Sequence, residues 1–212
     1  MYLPAHINES RTEVLHECIA RHPLGTLITY GQNGLDANHL PFELSANEGE
    51  LGVLRAHIAR ANPLWQDVES GAEVLAVFRA GDAYVSPNWY PSKHESHRQV
   101  PTWNYIVAHA YGRIRFYDDE NFVRGVVARL TRTHEASQPA PWKMTDAPGD
   151  YIAGLLQRIV GVQIDITQLV GKSKLGQDEE NRDILGAGQA LKEGGDHEIG
   201  DAMLEAIQAK RG

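Results

Sequence analysis

The sequence predicts an α+β domain built on an antiparallel β-barrel. Strand-like segments follow one another along the chain, and Asn33-Gly34 between the first two is a strong hairpin signal. No strand is followed by a Gly-rich phosphate loop that opens a long helix, so a βαβ array is not expected. We expect about seven strands and about four or five helices, with sequential strands paired antiparallel.

Each predicted strand is a short run of β-branched, aromatic or alternating apolar residues bounded by turn residues. The strands are expected at residues 26–30, 35–44, 51–58, 72–78, 83–86, 103–117 and 159–166. The segment from Pro87 to Pro101 contains three prolines and many polar residues, which is typical of a long loop.

The predicted helices have recognisable ends. Ser10 and Glu13 form a capping-box pattern, and Asn62-Pro63 places a favoured N-cap before a favoured first residue. Residues 118–137 begin acidic and end basic, as the helix dipole favours. Further helices are expected at residues 151–156, 183–191 and 198–209.

Composition limits the classes of protein. The chain has 212 residues, 20 basic and 28 acidic, with a formal net charge of −8. The single cysteine, Cys18, excludes an intramolecular disulfide framework and a Cys-rich zinc module. The negative charge argues against broad attraction to nucleic acid but allows a local basic patch. The N-terminus has no signal-peptide pattern and no segment is long and apolar enough to span a membrane, so we expect a cytoplasmic protein without membrane contact.

The strand around residues 54–59 and its exit predict an anion site. Arg55 and His57 share one strand face, Arg60 lies in a tight connection, and Asn62 caps the next helix. Backbone N–H groups beside a guanidinium suit phosphate. The alternative is an ordinary capped helix with a solvated arginine.

A second candidate segment is the strand at residues 36–42, which carries polar residues on both faces. Asp36 and Asn38 share a face with Leu40 and Phe42, and His39 lies on the other. A polar group next to an apolar one suits a flat heteroaromatic ligand. An edge strand that tolerates polar residues is an equally good interpretation.

The third candidate segment lies near the proline-rich loop. Ser92, Lys93 and Arg98 could hold phosphate oxygens, and Trp103, Asn104 and Tyr105 could stack on and hydrogen-bond a ring or pack in the core. His94 and His97 would suit a metal only if helical, and no HExxH motif or cysteine partner accompanies them, so no metal site is predicted. Lys172 and Lys174 in a Gly-flanked turn either add positive potential to a site or are simply solvated.

Several long sequence segments, in the same order along the chain, resemble those of the PaiB family, which is described as FMN-binding negative transcriptional regulators. The resemblance covers about residues 1–192 and rests on the segments MYLPAH (1–6), HPLGTL (22–27), GLDANHLPF (34–42), HIARANP (57–63), AYVSP (83–87), WYPSKHE (89–95), VPTWNY (100–105) and GKSKL (171–175). One departure is that the family usually has Lys-Leu-Ser-Gln-Asn where this chain has Lys-Leu-Gly-Gln-Asp at 174–178.

The resemblance implies a six-stranded antiparallel split β-barrel with peripheral helices, of the FMN-binding split-barrel group. It also implies a homodimer with FMN at the subunit interface. Residues 1–171 would form the barrel domain, and residues 172–212 a helical extension packed on it. The flavin phosphate would lie at Arg60, and the ring beside the strand at 36–42. The implied cofactor-binding residues are Asp36, Asn38, His39, Arg55, His57, Arg60, Asn62, Ser92, Lys93, Trp103 and Asn104.

The resemblance further implies negative transcriptional regulation by a flavin-dependent sensor. The alternative is an FMN-dependent oxidoreductase, similar to flavin reductases or pyridoxamine-phosphate oxidases, that acts on a small molecule. DNA is a further expected partner, although the chain has no helix-turn-helix signature and a charge of −8. Arg124, Arg129 and Arg132 on one predicted helix are the candidate DNA contacts, or else a solvated face.

Overall fold

A computed structural model describes residues 1–209 and shows a mixed α+β fold, with eight strands and seven α-helices among those residues. The strands are β1 (Asn8–Glu9), β2 (Leu24–Gly31), β3 (Gly34–Pro41), β4 (Glu43–Ser45), β5 (Val53–Ala59), β6 (Glu73–Val85), β7 (Thr102–Tyr117) and β8 (Ile159–Lys174). The helices are α1 (Thr12–Arg21), α2 (Leu64–Asp67), α3 (Pro91–Ser96), α4 (Glu120–Glu135), α5 (Gly149–Leu156), α6 (Asn181–Glu193) and α7 (His197–Ala209).

The chain forms two compact units. The first, which we call the helical unit, comprises residues 1–15, 79–108 and, within the described chain, 170–209. The second, the sheet unit, comprises residues 16–78 and 109–169. The predicted division into a barrel over 1–171 and an extension over 172–212 stays a prediction, and its residues 210–212 lie outside the described residues.

The strands of the sheet unit follow the order β3-β2-β6-β7-β8-β5-β4. The pairs β2–β3, β2–β6, β4–β5 and β5–β8 are all antiparallel. The hairpin predicted at Asn33-Gly34 joins β2 to β3, and Gly34 has a φ of +96°, a conformation that favours glycine. The predicted α+β class with an antiparallel sheet is therefore confirmed, although the described strands number eight rather than six.

The core of the sheet unit is made by the inward residues of these strands. Leu27, Leu54, Phe78 and Ile114 have no exposed surface, and burying each such side chain contributes about 1.5–3 kcal/mol. Gly25 is needed beside Phe78, because a Cβ there would lie 2.6 Å from the Phe78 ring. The aromatic rings therefore pack directly against the β2 backbone.

The helical unit is built around α6 and α7. Ile184, Leu191 and Met203 are at most 1% exposed, in one cluster with Val85 and Tyr90. The helices predicted at residues 183–191 and 198–209 are confirmed as α6 and α7, and they contribute to a hydrophobic core. Strand β1 pairs with the end of β8 in this unit.

Several elements differ from the sequence prediction. The strand predicted at residues 35–44 is two strands, β3 and β4, and β4 pairs with β5. The loop predicted from Pro87 to Pro101 contains α3, which begins at Pro91 because proline suits the first helical position. The strands predicted at 72–78 and 83–86 are one strand, β6. The Gly-flanked turn predicted around Lys172 is instead the end of β8. In the described chain, no helix combines the length and the apolar character needed to cross a membrane.

Candidate functional site

The predicted cofactor-binding residues fall into two sets. The first set belongs to the sheet unit and consists of Asp36, Asn38, His39, Arg55, His57, Arg60 and Asn62. The second set belongs to the helical unit and consists of Ser92, Lys93, Trp103 and Asn104.

A chain of amide hydrogen bonds joins β3 to the connection that follows β5. Asn62 Nδ2 donates to Asn38 Oδ1 at 2.7 Å, and Asn38 Nδ2 donates to Asp36 Oδ2 at 2.8 Å. Asn62 Oδ1 accepts the backbone N–H of Leu64 at 2.9 Å, which caps the single-turn helix α2. Both ends of the Asn62 amide are therefore used, and the connection 60–62 is held against β3.

Arg60 forms an ion pair with Asp118, a residue that no sequence pattern links to Arg60. Its Nη1 and Nη2 donate to the two oxygens of Asp118 at 2.8 and 2.5 Å, and its Nε donates to the Gln157 carbonyl oxygen at 2.7 Å. The guanidinium lowers the pKa of Asp118 through these hydrogen bonds. A phosphate at Arg60 would therefore have to share or displace Asp118.

Arg55 and His57 do share a face of β5, as predicted, but helix α4 packs over that face. Arg55 donates to Glu48 Oε2 at 2.6 Å and to Ser45 Oγ at 2.9 Å. This pairing lowers the pKa of Glu48 to about 2. A cavity of about 460 Å³ with Arg55, Tyr117 and other polar groups in its wall lies here.

His57 lines a different cavity, of about 290 Å³, at the other end of α4. Its Nδ1 atom is buried and has no hydrogen-bond partner among the described residues. Burial also lowers the pKa of the His57 imidazole, since a charged ring would lose its hydration. His57 is therefore a neutral ring with an unmet hydrogen-bonding capacity.

The outward face of β2, β3 and β6 is apolar and uncovered in the sheet unit. Cross-strand pairing places Tyr30 opposite Leu35 and Ile28 opposite Ala37 on this face, with Asp36 and Asn38 on the opposite one. Tyr30 is 73% and Leu35 is 77% exposed. Among the predicted cofactor-binding residues, His39 lies on this face, and its side chain is exposed. Polar groups thus occur on both faces of β3, as predicted.

In the helical unit, two of the four predicted residues are buried. Asp183 Oδ1 accepts the backbone N–H of Ser92 at 2.9 Å. Asn104 has no exposed surface, and its Nδ2 lies 3.3 Å from Met203 Sδ. A cofactor could contact the Asn104 side chain only if that side chain were uncovered.

The other two predicted residues of the helical unit are at its surface. Lys93 Nζ donates to Asn88 Oδ1 at 2.8 Å. Trp103 is 54% exposed and meets the Tyr84 ring edge-to-face at 6.0 Å. Trp103 and Tyr84 therefore offer aromatic surface on which a ring could stack.

The Gly-Lys segment carries two lysines that both have partners. Lys174 Nζ donates to the Trp103 carbonyl oxygen at 2.9 Å, and Lys172 Nζ lies 5.2 Å from the centre of the Tyr105 ring. Gly176 has a φ of +79°, a backbone conformation that a serine would adopt only with strain. This geometry accounts for glycine at the position where the family usually has serine.

Metal-ligand geometry is not found in the described part of the chain, where no three His, Cys, Asp or Glu side chains converge. The two histidines singled out by the sequence do not converge on a metal site. His94 Nε2 lies 3.3 Å from the Asn88 carbonyl oxygen, and His97 follows α3 with a positive φ of 55°.

The sheet unit fits FMN in two respects and constrains it in a third. The apolar outward face suits a planar ring, and exposed His39 on that face offers a hydrogen-bonding group. The residue predicted to bind the phosphate is Arg60, which directly follows β5. The carboxylate of Asp118 offsets its positive charge. FMN therefore fits if its phosphate shares Arg60 with Asp118.

Comparison with known proteins gives concordant results. A family model described as "Putative FMN-binding domain" matches residues 1–168. An uncharacterized protein of Emericella nidulans is 34% identical over 213 residues, covering 84% of this chain and 85% of the relative. "Protease synthase and sporulation protein PAI 2" of Bacillus subtilis is 26% identical, covering 91% and 89%.

Among solved structures, the FAD and heme binding protein from Mycobacterium smegmatis has a similar fold. Its TM-score is 0.60 at 17% identity, and the match covers 84% of this chain and 78% of that one. The family match confirms the predicted family and FMN as the cofactor, and the structural match confirms the split-barrel fold.

Proposed function

Because this chain belongs to the family of FMN-binding domains, we propose that it is a homodimeric flavoprotein that uses FMN to oxidise or reduce a small molecule. The flavin would lie at the subunit interface. The observation that carries this proposal is the uncovered apolar face of β2, β3 and β6 in the sheet unit.

The occupant that we propose for this face is a second copy of the chain. Leu24, Tyr30 and Leu35 are each more than two-thirds exposed there, and Ile28 and Leu75 extend the apolar surface across the strands. Contiguous apolar surface of this kind is typical of an interaction site. Since homodimers commonly pair the same surface of both subunits, a self-complementary sheet face fits this arrangement.

FMN would bind along the same face. Its ring would lie beside β3 at Ala37 and His39, and its phosphate at the connection that begins with Arg60. The Asn38–Asn62 hydrogen bond would act as a positioning contact that holds this connection against β3. Bound FMN supplies hydride or electron transfer, while these residues bind and orient it.

The ion pairs on α4 disfavour direct DNA binding. Arg124 donates to Glu120 at 2.7 Å and Arg129 donates to Glu43 at 2.5 Å, so two of the three candidate DNA contacts are paired with carboxylates. The chain as a whole carries a charge of −8. Both features weaken attraction to DNA phosphates.

Oxidation of NADH and NADPH by the FMN-loaded protein tests the redox proposal. Quinone, nitroaromatic and free-flavin acceptors are each added, and the same concentration of free FMN without protein is the control. We expect turnover above that control with at least one acceptor. Turnover equal to free FMN with all three acceptors would contradict the proposal.

Negative transcriptional regulation by a flavin-dependent sensor is the second candidate; the resemblance to the PaiB family implies it, and the similar Bacillus subtilis protein is named for protease synthesis and sporulation. Fluorescence anisotropy with promoter and scrambled DNA at two salt concentrations distinguishes the candidates. Promoter binding that exceeds scrambled binding, and that is weakened in an Arg132→Ala variant, would support regulation by direct contact. Equal binding of both DNAs would exclude it.

A further inference from the structure

The cavity at the end of α4 has mostly apolar walls. Pro41, Val127, Leu130 and Trp142 contribute this surface, and the cavity volume is about 290 Å³. This volume is close to the lower end of small-molecule sites in proteins. A ligand with one or two aromatic rings would therefore fill it.

His57 supplies a hydrogen-bonding group that lacks a partner. Its Nδ1 atom is buried away from the cavity, so the nitrogen that a ligand can reach is Nε2, and neither nitrogen has a hydrogen bond among the described residues. Because the ring is neutral, Nε2 either accepts a hydrogen bond or donates one, depending on the tautomer. A ligand hydroxyl satisfies both cases, since it can donate or accept.

The electrostatics of the cavity disfavour an anion. Glu135 contributes to the lining and lies at the C-terminal end of α4, where the helix dipole is also negative. Glu135 Oε2 accepts the backbone N–H of Trp142 at 2.9 Å, and this bond holds the tryptophan segment at the cavity. The carboxylate thus both fixes one wall and repels negative charge.

From these observations we propose that the α4 cavity binds a small, neutral aromatic molecule with one hydroxyl group, which hydrogen-bonds to His57. The site shares no lining residue with the Asn38–Asn62 connection. The proposal does not rest on the redox function, because it concerns binding alone.

Three ligands of nearly the same shape test the proposal. The ¹H–¹⁵N NMR spectrum of the FMN-loaded full-length protein is titrated with p-cresol, p-xylene and 4-methylbenzoate. We expect p-cresol to shift the signals of Val127–Glu135 and Trp142, and to bind at least about fivefold more tightly than p-xylene, which lacks the hydroxyl. The benzoate should bind more weakly than p-cresol because of Glu135.

A His57→Phe variant tests the hydrogen bond itself. It should lose most of the preference for p-cresol over p-xylene while keeping a dispersed, folded spectrum, although Thr131 and His134 remain in the lining. If this variant does not fold, the comparison of ligands on the unchanged protein still decides the question. Equal binding of p-cresol and p-xylene by the unchanged protein, tighter binding of the benzoate, or no shifts on α4 with any ligand would each overturn the proposal.

Discussion

Arg60 and Asp118 form a bidentate ion pair, with N–O distances of 2.8 and 2.5 Å, at the position where the family resemblance puts the FMN phosphate. Two parallel N–H···O bonds of this kind are among the stronger polar contacts in proteins. The pair therefore competes with the phosphate for the same guanidinium. Substituting Arg60 and substituting Asp118 are therefore two separate tests of the prediction that the FMN phosphate binds at Arg60.

Substitutions of Asp118 and of Arg60 should change the affinity for FMN in opposite directions. Asp118→Asn removes the competing charge, so we expect FMN to bind severalfold more tightly, whereas Arg60→Ala should weaken binding about tenfold or more. Fluorescence titration of FMN measures both affinities. Glu120→Gln, which removes a nearby carboxylate paired with Arg124, is the control and should have little effect. Unchanged affinity in both test variants would show that the phosphate lies elsewhere.

The hydrogen bonds of Asn62 predict a stability effect. Asn62→Ala removes the contact to Asn38 and the cap on the Leu64 N–H, so the free energy of unfolding should fall by about 1–2 kcal/mol. Urea unfolding followed by circular dichroism measures this change. Asn47→Ala, at an exposed turn position, is the matched control. An Asn62→Ala protein as stable as this control would contradict the structural role.

The sequence predicted those features of the fold that depend on local patterns. The hairpin at Asn33-Gly34 and the tail helices α6 and α7 follow from turn chemistry and helical periodicity. The polar interruption in β6 suggested two strands. In the structure, however, Arg79 pairs with Asp82, and Gly81 packs closely against Glu198 and Ile199, so the strand continues. The contact of Gly81 with α7 joins segments that are distant in the chain, so it leaves no local signal in the sequence.

The strand faces of the predicted site residues could be predicted from the sequence, but the partners of those residues could not. The strand period correctly placed Arg55 and His57 on one face. It could not show that α4 packs over that face. There the Phe122 ring lies so close to Gly161 that a Cβ on residue 161 would be only 2.4 Å from the ring. Nor could it show Asp118, which is 58 residues from Arg60 in the chain.

The ion pair of Glu48 and Arg55 predicts a pH dependence of stability. The pKa of Glu48 is lowered from 4.5 to about 2, so the pair stabilises the fold above pH 4.5 and loses this contribution as the pH falls toward 2. Because the Glu48 side chain is 53% exposed, the effect is small, about 0.5 kcal/mol. Thermal unfolding from pH 7 to pH 2 of wild type and Glu48→Gln measures it. The variant should be less stable at neutral pH, and the difference should vanish at low pH. A constant difference would contradict this assignment.

The buried carboxylate of Asp183 predicts an effect on the helical unit. Asp183 is 1% exposed and accepts the Ser92 N–H, which Asp183→Ala would leave buried without a partner. We expect a loss of about 1–3 kcal/mol in unfolding free energy. Asp183→Asn keeps an acceptor oxygen and should lose less, which makes it the matched control. Equal losses in the two variants would show that the hydrogen bond is not the cause.

Light scattering coupled to size-exclusion chromatography, with detection of the visible flavin band, determines whether the protein is a dimer that holds FMN. We expect a particle of twice the 23.5 kDa chain mass that carries one FMN per chain. Leu35→Glu, on the apolar sheet face, should yield a monomer that loses flavin, while Tyr151→Glu, on helix α5, should do neither. A wild-type monomer that retains FMN, or a Leu35→Glu dimer with full flavin content, would show that the flavin does not bind at a subunit interface on this face.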